Sequence, residues 1–558
     1  KALGTFKNWS KSINKYSAGW NKYLLGSYEQ NEDGSYSYTT NRVGNEVSTD
    51  LNSTNETAGD RRIYLEAMVD YNRTFGRHDV NAMLLYNQDE LVNNVPGNNL
   101  INSLPKRKQG LAGRLSYAYD GKYMAEVNMG YNGSENFAKG HRWGFFPSIA
   151  LGYNISEESF FEPLRKVITS MKLRGSWGLV GNDQIGGERF IYMPTINLSG
   201  KGFTTGIDQN YGLSGPVYTR YENNSITWEV GEKINLGIDL QLLNSLNIVV
   251  DIFRETRRDI FQKKGTIPTY LGTGNTDVFG NLAEMKNQGL DLSIDYNKAF
   301  SKDFYMNFKG TFTYAHNEIT KYDEAPKYAF QSKVGQSANV SQGYLSNGLF
   351  LDEAEIDRYN QQMGSTLGAG DIKYLNVSNM HGYGDDIVDV DDWTWIGNPT
   401  VPEIVYGFGP SFKYKNWDFS FFFQGVAKTS LFMSGFHPFG DNSLRNVLQF
   451  VANDRWSPTN QNVDAKYPRL TRKTSLNNTN PGNSGRTSDY WMRDGSFLKL
   501  KNMELGYTFK RMRFYISGSN LLTFSKFDLW DPEQGGGSGL KYPTQRVFNV
   551  GFQMTFNN

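Results

Sequence analysis

Along most of the chain, apolar and polar side chains alternate one by one, the period of an extended strand whose successive residues point to opposite faces. In 290–296, Leu290, Leu292, Ile294 and Tyr296 interleave with Asp291, Ser293 and Asp295. The stretch 304–314 repeats this with Phe304, Met306, Phe308, Phe312 and Tyr314 against Tyr305, Asn307, Lys309, Thr311 and Thr313. Ile234, Leu236, Ile238, Leu240 and Leu242 make another apolar row, and a turn at Asn244-Ser245 is expected to return the chain through Leu246, Ile248, Val250 and Ile252. Leu115, Tyr117 and Tyr119 lead into Asp120-Gly121, a pair that tolerates the positive φ of a tight turn, and then into Tyr123, Ala125, Val127, Met129 and Tyr131. Strands joined so tightly are antiparallel neighbours. Further strands are predicted near 63–71, 80–86, 147–154, 172–178, 404–414, 417–424, 498–509 and 512–519, and 353–362 is the one fair helix.

Long polar stretches rich in Gly, Asn and Ser separate these strands at 26–60, 181–228, 325–400 and 430–495, far beyond ordinary loop lengths. Short turns on one side and long loops on the other are the asymmetry of an outer-membrane barrel. The last strand alternates Phe548, Val550, Phe552, Met554 and Phe556 with Asn549, Gly551, Gln553 and Thr555. Such an aromatic-ended strand resembles the signal by which outer-membrane barrels are recognised for assembly. One strand of this kind also suits the edge of a soluble sheet, but its many repeats along the chain favour the barrel.

Composition sharpens this picture. Over 558 residues only 38% are hydrophobic and mean hydropathy is −0.57, yet aromatics reach 15%, which suits a wall with one lipid face, one wet face and aromatic girdles between. No stretch approaches the roughly 18 consecutive apolar residues of a membrane helix, so any crossing is by strands. A formal charge of +1 with no basic run makes nucleic acid an unsuitable partner. The absence of cysteine excludes disulfides, thiol nucleophiles and Cys-ligated metals. Nothing near Lys1 reads as a secretory leader, so either export is not needed or the protein begins upstream. The reading is all-β: residues 1–558 form one large antiparallel transmembrane β-barrel domain with long extracellular loops.

Several segments then show, in order, a resemblance to the SusC/RagA family of TonB-dependent outer-membrane transporters. They are 73–78 (RTFGRH), 113–131 (GRLSYAYDGKYMAEVNMGY), 142–153 (RWGFFPSIALGY), 173–182 (LRGSWGLVGN), 280–290 (GNLAEMKNQGL), 489–507 (DYWMRDGSFLKLKNMELGY) and 520–537. The resemblance implies a barrel of about 22 strands wide enough to hold a plug, of which this chain would cover roughly the latter two-thirds. The plug and the TonB-contacting segment would then lie outside it. It further implies TonB-dependent import of oligosaccharides or oligopeptides across the outer membrane of a Gram-negative bacterium, with a SusD-like surface lipoprotein as lid. Lipid bilayer and lipopolysaccharide would surround the wall, and transporter and lid could pair into dimers. The rival of another class is a passive barrel, or a surface receptor or adhesin without energy coupling. A barrel hydrolase and a soluble carbohydrate-binding protein are further alternatives.

The chemistry-bearing motifs are few. The acidic extracellular loop, about 364–396, contains 370–393 (GDIKYLNVSNMHGYGDDIVDVDDW), the densest carboxylate cluster. In the resembled family this place often carries a loop similar to a calcium-binding EF-hand. Asn376 takes its first acidic position here, while Gly384, Asp385, Asp389 and Asp392 match the rest, so a Ca2+ in 371–392 held by Asn376, Asp385, Asp389 and Asp392 is one reading. A solvated loop in which Asp and Asn make turns is the other, and the departures from the pattern favour it. His78, His141, His316, His381 and His437 show no zinc spacing and no partnered nucleophile, so no enzyme is expected and no cofactor is required. Gly535-Gly536-Gly537 lacks the strand, helix and lysine of a phosphate loop. Trp393, Trp395, Phe436, Tyr490 and Trp491 could stack on cargo, but loop packing or membrane anchoring suits them better.

Overall fold

The computed structural model describes residues 1–97, 100–268, 270, 276–359, 361–362, 367–383, 385–434, 447–470 and 487–556. Sixteen strands form one sheet. They are β1 (Ala2–Ser17), β2 (Asn52–Phe75), β3 (His78–Asn93), β4 (Lys106–Tyr119), β5 (Tyr123–Ser134) and β6 (Trp143–Asn154). After these come β7 (Ile168–Asn182), β8 (Glu229–Leu242), β9 (Leu246–Lys263), β10 (Phe279–Ala299) and β11 (Phe304–Lys321). The last five are β12 (Ile404–Tyr414), β13 (Trp417–Ala427), β14 (Phe497–Phe509), β15 (Met512–Ser525) and β16 (Val547–Met554). Each pairs only with its neighbours in this order, always antiparallel. Among the described residues no helix is long and apolar enough to cross a membrane.

Register shows why the alternation matters. Tyr117, Ala125, Leu151, Gly175, Leu236, Ile252, Leu290, Tyr314 and Ile404 stand side by side across nine strands. One residue along, the matching row is Gly152, Arg174, Gly237, Asp251, Asp291 and Thr313. A one-residue slip in any strand would exchange its rows between faces. The apolar row is bare, with Leu236 63% and Ile252 61% exposed, so no part of this chain covers it, as a face turned to hydrocarbon requires. Stacked rings bound this band: Tyr131 on Trp143 at 4.7 Å at the long-loop end, Tyr123 on Tyr153 at 5.2 Å at the short-turn end. Tyr123 and Tyr131 are roughly 26 Å apart along β5 before tilt, at about 3.3 Å per residue, close to the apolar band of about 25 Å of such barrels.

The two ends differ as the sequence pattern leads one to expect. Turns 76–77, 120–122, 243–245, 300–303, 415–416 and 510–511 lie at one end with the somewhat longer 155–167. Asp120 (φ +54°) and Gly121 (φ +66°) close their hairpin as predicted. The next turn falls one residue earlier than Asn244-Ser245: Leu242 pairs with Leu246, and Leu243 and Asn244 take the positive φ values.

Three expectations need correction. Strand β1 went unread, and the loop expected over 26–60 holds most of a hairpin (Lys22–Gln30 with Tyr36–Val43) and the first part of β2. The stretch 181–228 likewise holds the hairpin Thr195–Thr205 with Tyr211–Arg220. Both faces of these extensions are wet, so nothing enforces alternation there and backbone pairing alone marks the strand. The helix expected over 353–362 is shorter, Glu353–Arg358, with the Asp352 carboxylate capping the Glu355 N–H at 2.7 Å.

Leu236→Arg, placed mid-strand on the bare face, should cost about 2–4 kcal/mol near the bilayer midplane, whereas Leu236→Phe should be tolerated. The folded fraction in outer membranes, read by heat-dependent gel mobility, checks this; equal folding of both variants would mean the face does not meet lipid.

Candidate functional site

The inward row gathers charge. Arg174 of β7 donates to Asp251 of β9 through both terminal nitrogens, at 2.5 and 2.6 Å, and to Asp239 at 3.0 Å. It reaches across Gly237, where a Cβ would lie 2.6 Å from its Cζ. The same device recurs where Arg513 of β15 reaches Asp418 of β13 past Gly506 and also holds Glu504 at 2.6 Å. These glycines keep a wet, polar wall flat enough for charges to pair between alternate strands.

The buried apolar residues are mostly not in the sheet. Tyr344, Leu349, Ile372, Tyr374, Val388, Leu431, Met433, Val451, Trp456, Tyr467, Trp491 and Phe527 pack into one dry core built by the connections 322–403, 428–496 and 526–546. A smaller core of Phe137, Ile185, Ile191, Ile226 and Trp228 joins 135–142 to 183–228. The long loops are therefore folded lobes at one end of the sheet. Asp371, fully buried, takes Arg469 at 2.6 and 3.1 Å across two connections, and this carboxylate partner raises the guanidinium's pKa. Tyr490, whose hydroxyl donates to the Ala465 carbonyl at 2.8 Å, has its pKa pushed up by burial.

The acidic loop closes on itself. Asn376 turns its amide nitrogen toward Asp385, at 2.8 Å to the carbonyl and 3.0 Å to Oδ1, and its Oδ1 accepts from the Asn379 N–H at 2.8 Å. Asp389 caps a single 3-10 turn by accepting from the Asp391 N–H at 2.8 Å. Asp392, fully buried, accepts from the N–H groups of Ser378 at 2.9 Å and Asp389 at 2.8 Å and from the Ser378 hydroxyl at 3.1 Å. Burial raises its pKa against the pull of those donors. The oxygens a cation would claim thus already receive N–H and O–H groups. Among the described residues no group of three or more His, Asp or Glu is placed to hold a metal ion. Gly384 and residues 364–366 of the loop lie outside the described residues.

The other sequence candidates are structural. His316 contacts Glu403 at 2.5 Å, His78 contacts the Tyr117 hydroxyl at 2.8 Å, and His381 stacks on Phe330 at 4.6 Å; His437 and Phe436 lie outside the described residues. Gly536 sits where a Cβ would meet the Phe432 carbonyl at 2.5 Å, so the glycine run permits close backbone approach. Trp491 is core, Trp393 packs against it, and Trp395 donates to the Ser332 carbonyl at 2.9 Å. Sequence reasoning missed the Lys499 cluster: this lysine, its side chain 1% exposed, holds Asp531 at 2.6 Å and Glu533 at 2.7 Å. Lys499 takes the polar position between Leu498 and Leu500, opposite Gln424, so the strand pattern gave no sign of its burial.

Burial works against ionising Asp531 and Glu533, but Lys499 outweighs it, helped at Glu533 by Lys501, and both carboxyls stay below their usual range. Folded values below the unfolded ones mean that this tie is at full strength above the ordinary carboxylate range and is lost as pH falls through the lowered values. Lys499→Met should cost about 1–3 kcal/mol, less than a fully buried pair because its partners keep some solvent. Limited proteolysis within 526–546 should speed up at pH 7 in the variant and only in acid in the parent; identical digestion at pH 7 would refute the tie.

Comparison with known proteins agrees with this geometry. Residues 2–521 match the family described as TonB dependent receptor-like, beta-barrel. TonB-dependent receptor P3 of Formosa agariphila is 25% identical over 574 residues, covering 92% of this chain and 54% of its own. TonB-dependent receptor SusC of Bacteroides thetaiotaomicron is 28% identical over 471 residues, covering 80% and 43%. The chain thus spans about half the length of the curated relatives it matches. The structure of the RagAB peptide transporter superposes with a TM-score of 0.66 at 19% identity, over 90% of this chain and 56% of that one, a likeness of fold. The chain belongs to the TonB dependent receptor-like, beta-barrel family of outer-membrane proteins, and SusC and the RagAB peptide transporter are among the proteins it resembles.

Proposed function

We propose that this chain supplies the wall and the outer vestibule of an importer that takes oligosaccharides or oligopeptides across the outer membrane, driven by TonB and covered by a SusD-like lipoprotein. The observation that carries this reading is the placement of the dry cores: they lie in the long loops at one end of a polar-lined sheet, where a vestibule must hold its shape. SusC, a relative named as a TonB-dependent receptor, supports the energy source, and the RagAB peptide transporter, a fold neighbour, supports peptide as one class of cargo. Edges β1 and β16 each have one partner strand among the described residues. Unpaired edges are not tolerated in hydrocarbon, so further strands of the same protein are proposed to close the barrel around a plug.

Uptake of labelled oligosaccharide and oligopeptide mixtures by cells carrying the gene, with and without TonB, tests the reading. Uptake should stop when TonB is deleted or the proton gradient is collapsed. Uptake that persists unchanged would leave a passive barrel, and surface binding without uptake would leave a receptor or adhesin.

A further inference from the structure

Two cavities of about 400 and 290 Å3 adjoin at the long-loop end of β1 to β4, sharing Leu91, Lys106 and Arg189. Asp89, Leu91 and Asn93 of β3 and Lys106 and Lys108 of β4 line them. These positions are out of phase with Tyr86 and Leu111, which pair on the bare face and are 43% and 37% exposed, so the cavities open on the lumen side.

The charges there do not cancel one by one. Arg62 holds Asp89 at 2.7 Å, Lys108 holds Asp183 at 2.6 Å and Arg220 holds Glu188 at 2.7 Å. Arg107 holds Glu90 at 2.7 Å and lies 3.9 Å from Glu135, and the Asp60 carboxylate, which accepts from the Trp9 indole at 2.7 Å, keeps its charge. Lys106 has no ion pair among the described residues. Arg189 is 92% buried, since only 8% of it is exposed. Its terminal nitrogens donate to the carbonyls of Ile101, Leu104 and Pro105 at 2.8–3.1 Å, and its Nε is buried without a partner. Carbonyl dipoles solvate a cation without removing its charge. Lys106 and Arg189 together outweigh the Asp60 carboxylate beside them, so the recess keeps a surplus of positive charge at reduced dielectric, where an anion gains.

Trp9 lines the same recess at 37% exposure, its ring fixed by the bond to Asp60, and Asn93 and Asn102 add amides. A flat aromatic face beside amides and unpaired cations matches a ring bearing hydroxyls and an oxyanion. It offers no deep apolar pocket of the kind that holds a peptide's anchoring side chain. We propose that these cavities bind an acidic sugar unit of the cargo, its carboxylate or sulfate beside Lys106 and Arg189 and one ring face on Trp9. This rests on the import reading above and narrows its cargo.

The test uses the intact transporter with its lid, titrated calorimetrically with oligogalacturonides, sulfated galactan oligosaccharides, neutral malto-oligosaccharides of matched length and oligoglutamate. An acidic sugar should bind at least tenfold more tightly than the neutral one, and more weakly as salt rises. Lys106→Ala should lose at least tenfold, Lys106→Arg should keep most of the affinity, and Trp9→Ala should weaken sugar binding with the folded fraction unchanged. Carboxylate and sulfate probes separate the two oxyanions. Equal binding of neutral sugar, preference for oligoglutamate, indifference to Lys106→Ala, or binding of no acidic sugar would each overturn the proposal. TonB-dependent uptake of any cargo would survive that result, so the importer reading fails only on its own experiment.

Discussion

A peptide group in hydrocarbon has no partner but another peptide group, and the architecture follows from meeting that demand strand by strand. Each of the sixteen strands pairs with the next in order, which lets all but one of the turns at one end be tight while the other end carries the bulk. The same pairing locks two rows into place: a slip that kept the backbone bonded would still turn Arg174 and Asp251 toward lipid and Leu236 and Ile252 toward water. Register is held by both faces at once, although neither face has a conventional core.

Burial is accordingly divided. On the strands the apolar side chains are left bare for lipid, and the inward side chains pair as ions, using Gly237 and Gly506 to let arginines cross between alternate strands. The dry cores sit beyond the membrane, in connections that fold against each other through Trp491, Tyr344 and Trp456 and are tied by Asp371 with Arg469 and by Lys499 with Asp531. The wall thus presents apolar side chains outward, the loop end keeps a fixed form, and the inward face stays wet and charged.

The acidic loop illustrates how the same residues admit two outcomes. Asp385, Asp389 and Asp392 in a row suggest oxygen ligands, yet short acidic side chains are equally good acceptors for local N–H groups. In the structure they accept such groups, with Asp392 drawn fully inside and Asn376 presenting its nitrogen to Asp385.

Strand identity in the membrane band, the hairpin at Asp120-Gly121, the short-turn and long-loop ends and the family itself were all legible in the residues, because lipid on one side and water on the other impose a strict period of two. Where both sides are wet the period vanishes, so β1, the hairpin over 22–43 and the extended ends of β2 emerged only from pairing. The loop cores, the burial of Lys499 and the surplus charge at Lys106 and Arg189 were decided by tertiary structure alone. Each depends on residues tens of positions apart being brought together, and local pattern carries no record of such distances.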